Sequence, residues 1–144
     1  MKSIISPKGF LMWGGIALVL LAVLGYVGIL GPTAEGSIFG ATWYFDNAEN
    51  IAHLVLGIVA LGAMFVLPAN LQKMLVLLVG VIAVLVGLYS LVFSTMLLGA
   101  NLENPADSIL HLVVGAWGVW AGMKKGGMMA SSMPSGMGGG MGGM

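Results

Sequence analysis

No cysteine occurs in the chain, which removes disulfides, iron–sulfur clusters and thiolate zinc sites. Charge is almost as scarce: 7% of the residues carry it, against roughly 25% in soluble domains. Acids and bases cancel to a net charge of +0. The five lysines form no basic stripe, so nucleic acid is not an expected partner. Also missing are a nucleophile–base pair, a phosphate-binding loop and a Glu-x-x-His di-iron pattern. An enzyme built on this chain would take most of its chemistry from a cofactor, and a non-enzymatic role is expected. The apolar segments have no broken or polar middle, as a transporter would need, and no channel filter.

What is abundant is apolar surface. Hydrophobic residues make up 59% of the chain and the mean hydropathy is +1.06. Four segments approach the ~20 residues that a spanning helix requires. They predict helices over about 10–30, 47–67, 72–94 and 105–123. The second and fourth reach spanning length only with their polar first turns in the headgroup layer. A cleavable leader over 1–30 is the competing reading, but its apolar run exceeds the roughly 7–15 residues of a signal h-region.

Lys2, Lys8, Lys73, Lys124 and Lys125 fall before helix 1, between helices 2 and 3, and after helix 4. Glu35, Asp46, Glu49, Glu103 and Asp107 occupy the other two connections and the turns that follow them. Lysine-rich flanks stay cytoplasmic. Both termini are therefore expected inside, in a multi-pass protein of a bacterial cytoplasmic membrane. Gly31-Pro32 is expected to end helix 1. Trp43, Tyr44 and Phe45, like Trp13, Trp117 and Trp120 at the other end, read first as interfacial anchors in lipid.

One pattern stands out. "DNAENIAHLVLG" (46–57) aligns without a gap to "NPADSILHLVVG" (104–115), so Glu49 and His53 recur as Asp107 and His111. These are the only two histidines, 58 residues apart (111 − 53). The chain thus reads as an all-α membrane protein: four transmembrane helices arranged as two tandem helical hairpins in parallel orientation. Residues 1–125 form that domain. The Gly/Met-rich stretch 126–144 reads as a flexible tail, although its methionine thioethers could take Cu(I).

Capping accounts for the acids. Asp46 at N-cap with Glu49 at N3 makes a capping box, and Asn104, Pro105 and Asp107 suit N-cap, N1 and N3. It does not account for His53 and His111, which share a face with the acids and with small residues below them: Gly57 and Ala60, then Gly115, Gly118 and Gly122. Beside a proton-sensing role, three others are open. The imidazoles can hydrogen-bond within the bundle and fix its register, at ~0.6–2 kcal/mol per polar pair. They can clamp a cofactor as paired axial ligands, haem b or a chlorophyll-type pigment, with glycine leaving room for the ring. Or Glu49, His53, Asp107 and His111 can bind a metal.

The paired His-Leu-x-x-Gly motifs, His53-Leu54 to Gly57 and His111-Leu112 to Gly115, each follow an acid. They resemble a family of small bacterial four-helix integral membrane proteins of unknown function, over about residues 10–123. The resemblance implies four spanning helices and no particular activity. With almost no extramembrane mass, the expected role is an accessory or scaffolding subunit in contact with membrane lipid. Its partners would be other membrane subunits or copies of itself in a homo-oligomer. The alternative is a small haem- or pigment-binding subunit of an electron-transfer or photosynthetic complex using His53 and His111. Gly14, Gly15, Ala22, Gly25 and Gly28 suggest a docking face left over on helix 1.

Overall fold

The computed structural model describes residues 3–124. Lys2, Lys125 and the Gly/Met-rich stretch lie outside the described residues. Four helices carry the fold: α1 (Pro7–Tyr26), α2 (Asn47–Val66), α3 (Ala69–Val92) and α4 (Ala106–Met123). Three of them, α1, α2 and α3, are long and apolar enough to cross a membrane. Helix α4 carries Asp107, Ser108 and His111 in its first two turns and falls outside that group.

Three helix bounds shift by three or four residues from the sequence expectation, each for a local reason. Helix α1 starts earlier, at Pro7, because the Ser6 hydroxyl accepts from Gly9 N–H at 3.0 Å and proline suits the first helical position. It also stops earlier, at Tyr26, and Gly31-Pro32 is not what stops it. Gly28 takes φ +78°, and the Ile29 N–H reaches back to the Leu24 carbonyl at 3.0 Å, a glycine-terminated helix end. Helix α3 begins directly after Pro68. There Gln72 donates to the carbonyls of Met64 and Leu67 (3.0 and 2.9 Å), closing the α2–α3 turn.

Helix α1 packs along α2 and α3 along α4, the latter being the most extensive interface; the two hairpins meet mainly through α1 against α3 and α4. Glycine sets both close approaches. A Cβ at Gly57 would lie 2.9 Å from the Gly15 carbonyl and 2.7 Å from Val19. At Gly115 it would lie 2.8 Å from the Gly80 carbonyl and 2.6 Å from Val84. Two of the helix 1 glycines make approaches of the same kind. Gly15 and Gly25 pack on α2, and Gly14 faces Phe10 and Trp117. Of the small residues expected to form a docking face on helix 1, Gly15, Ala22 and Gly25 are therefore buried inside the chain, Gly14 is half-buried, and Gly28 is exposed beyond the end of α1.

The apolar core, Phe10, Leu11, Ala63, Met64, Val76 and Ala121, lies in the half of the bundle nearest the α2–α3 turn. At that same end Lys8, Lys73 and Lys124 line one hollow. The opposite end is polar and is closed by two connections. In the first, an isolated bridge pairs Leu30 with Ser37, and Phe45 N–H donates to the Leu30 carbonyl at 2.6 Å. In the second, β1 (Met96–Leu97) pairs antiparallel with β2 (Ala100–Asn101) across a tight turn at Leu98 and Gly99. Both turn residues have positive φ, 51° and 89°, as a two-residue hairpin requires.

Candidate functional site

The polar end is assembled from the two acid–histidine segments. At the start of α2 the capping box forms as read. Asp46 Oδ1 accepts from Glu49 N–H, and Glu49 Oε2 accepts from Asp46 N–H, both at 2.9 Å. The start of α4 departs from that grammar. Pro105 is the N-cap without a side-chain cap, and Asn104 instead donates to the Ser90 carbonyl at 3.2 Å. Asp107 is drawn away from capping by other donors. Its Oδ2 accepts from Glu103 N–H at 2.9 Å and its Oδ1 from the Trp43 indole N–H at 2.8 Å.

Trp43 is therefore a half-buried strut between the hairpins, and Phe45 is 2% exposed against the His53 ring. Trp117 likewise donates to the Ile4 carbonyl at 2.9 Å, whereas Trp13 and Trp120 do face outward. A second strut is Asp46 Oδ2, which accepts from Asn101 N–H at 2.8 Å.

His53 and His111 come together, ring centroids 6.4 Å apart and planes 31° apart. Both line a cleft of about 290 Å³ together with Glu49, Val86, Leu97 and Leu102. Their bonding is unequal. His111 Nδ1–H donates to the Asp107 carbonyl at 2.7 Å, since that carbonyl can only accept. A neutral imidazole so held presents Nε2 as its lone pair. Nδ1 of His53 is buried without a partner, and the His111 bond stays within α4, so neither described ring bond ties one helix to another. Gly57 and Gly115, one turn below the histidines, are filled by Val19, Val84 and helix backbone, so neither opens a slot for a ring at its own position.

The four residues read from the sequence as a metal set are not grouped that way. Glu49 and Asp107 are instead joined by Glu103, their ligand oxygens lying within 4.8 Å of one another. All three side chains are almost fully buried, at 3%, 1% and 7% exposed for Glu49, Asp107 and Glu103. Glu103 Oε1 accepts from Asn101 Nδ2 at 2.8 Å, while Oε2 has no partner, nor does Glu49 Oε1. Burial pushes the Glu103 carboxyl up to about 8, and the neighbouring Asp107 carboxylate adds to the rise.

Glu103 precedes the matched motif and has no counterpart in the first copy, which is why the pairing of motifs did not select it. Two further buried polar residues do sit at matched places. Asn50 (0% exposed) donates to the Phe45 carbonyl at 3.2 Å and packs on Gly25. Ser108 (0% exposed) shares a 2.6 Å hydrogen bond with Ser90.

No family model, curated protein or solved structure matches the chain.

Proposed function

We propose that the protein is a non-enzymatic integral membrane subunit that crosses a bacterial cytoplasmic membrane four times, with both termini inside, and works within a larger assembly. The observation that carries this reading is where the polar residues go. Trp43, Asp46, Asn101 and Asp107 are engaged in tying one hairpin to the other, and the helix sides are apolar. No group among the described residues is left with the paired nucleophile and base of a catalytic site. Helix α4 completes the fourth span once its first turns, Asp107 to His111, sit in the headgroup layer.

Two tandem copies of one hairpin account for the architecture. Gly15 and Val19 receive Gly57 as Gly80 and Val84 receive Gly115, so the same contact recurs in each hairpin. The separation of a lysine-lined end from an acid-rich end supports the orientation. Cysteine at position 35, in the first connection, is expected to react with an impermeant maleimide in intact spheroplasts. Cysteine at position 70, exposed in the first turn of α3 beside the α2–α3 connection, should react only after lysis. The reverse pattern overturns the orientation.

An axial-ligand role for His53 and His111 is the competing reading, favoured by their facing rings. It is disfavoured by the filled glycine positions beside them. Protein purified from native membranes in mild detergent is expected to be colourless and to run in native mass spectrometry as a species larger than one chain. A Soret or chlorin band supports the cofactor reading. A bare 14.8 kDa monomer ends the subunit reading.

A further inference from the structure

Three carboxyl groups are gathered in a nearly dry site, and no described lysine reaches them. Glu49, Glu103 and Asp107 are each at most 7% exposed. The described lysines, Lys8, Lys73 and Lys124, line a hollow at the other end of the bundle. Every donor that reaches the cluster through a hydrogen bond is neutral: Asp46 N–H, Asn101 Nδ2, Trp43 Nε1 and Glu103 N–H. Neutral donors orient carboxylates but do not neutralise them, and buried charge is strongly disfavoured without a counter-charge. Two oxygens in particular, Glu49 Oε1 and Glu103 Oε2, are buried with nothing to bind.

We propose that Glu49, Glu103 and Asp107 bind one hard divalent cation of the calcium class. The donor set is all oxygen, which suits calcium, magnesium or manganese over softer metals. Ligand oxygens within 4.8 Å of one another fit around one calcium ion, whose oxygens at about 2.3–2.6 Å can stand up to ~5 Å apart. Magnesium keeps several waters and is seldom held by protein carboxylates alone, so a nearly dry all-carboxylate site favours calcium. The existing hydrogen bonds take one lone pair on each engaged oxygen and fix carboxylate orientation, as outer-shell partners of a metal site do.

His53 and His111 occupy the cleft one helical turn below and are not ligands in this assignment. The ion would join α2, through Glu49, to the start of α4, through Glu103 and Asp107. It would thus cross-link the two hairpins at their polar end.

Detergent-purified full-length protein, stripped with chelator, is expected to bind one Mn²⁺ per chain by electron paramagnetic resonance and to release it to Ca²⁺. Ca²⁺ should also raise its thermal midpoint. Glu103→Gln should weaken Ca²⁺ binding by at least the ~10–100-fold that loss of an orienting group alone costs. Glu35→Gln, an exposed acid in the other connection, should not change it. Should Glu103→Gln fail to fold, the wild-type titration still decides. No binding up to roughly 1 mM Ca²⁺, the weak end for extracellular calcium modules, overturns the proposal. So does Mn²⁺ that Zn²⁺ displaces and Ca²⁺ does not, or a protonated-carboxyl infrared band that survives saturating Ca²⁺.

Discussion

Gly80→Leu is expected to destabilise the folded protein by about 3 kcal/mol or more, the upper part of the range for an overpacked interior. Helices α3 and α4 share the most extensive interface in the molecule, and Gly80 sits where their backbones nearly touch. A Cβ there would lie 2.5 Å from Val119 N, 2.8 Å from Gly118 C and 3.0 Å from the Gly115 carbonyl oxygen. All three are backbone atoms, so no side chain can rotate away and the helices must part. In lipid that separation is costly, because close packing and not water exclusion is what holds spanning helices together.

Gly80→Ala should act in the same direction with a smaller loss. Gly62→Leu is the matched control, since Gly62 is exposed on α2 with nothing within 4 Å. Leucine is the better helix former by up to ~1 kcal/mol, so that change should be neutral or mildly stabilising. Unfolding in mixed micelles by rising SDS, followed by far-UV circular dichroism, gives both values. Equal midpoints for the Gly80 and Gly62 variants would show that the close approach is not what the structure describes.

The matched segments made much of this legible beforehand. Apolar length gave the helices to within a few residues. The Asp46–Glu49 capping box followed from side-chain acceptors meeting free N–H groups. The histidine stripes above Gly57 and Gly115 located the close contacts, because small residues at helical spacing have few other uses in a membrane helix.

Tertiary partners were not legible. Asp107 looks like a helix-start acid from its neighbours alone. Its real donors, Trp43 and Glu103, become adjacent only when the two connections fold over the polar end. Trp43 and Phe45 carry the composition of a lipid anchor, yet the Trp43 indole N–H is bonded to Asp107 and the Phe45 ring is buried against His53. Glu103 escaped notice for a simpler reason: attention to matched pairs passes over an unmatched residue. Asn50 and Ser108 could have been found, since both are polar, at equivalent places, one residue after Glu49 and Asp107. Gly28 could have been found too, as the glycine that a helix end prefers.

Asp107→Ala is expected to cost about 2–6 kcal/mol, the sum for two stranded donors at roughly 1–3 kcal/mol each. The Trp43 indole N–H and the Glu103 N–H both end on this carboxylate, and Asp107 itself is 1% exposed. Water has little access to replace it. Removing a negative charge beside Glu49 and Glu103 relieves some repulsion, which offsets part of the loss and puts the net near 3 kcal/mol. Asp107→Asn separates these effects. It also removes the charge but keeps one oxygen acceptor, and its amide meets the other donor with a donor of its own. About half the loss should remain. Pairing Asp107→Ala with Trp43→Phe completes the test, because the double variant has no indole N–H left to strand. Its loss should fall short of the sum of the single losses by about 1 kcal/mol, the coupling typical of residues in direct contact. Chelator in every sample keeps a bound cation from contributing. Strict additivity would mean that the indole and the carboxylate do not meet, and the strut between the two hairpins would then have to be sought at Asp46 and Asn101 instead.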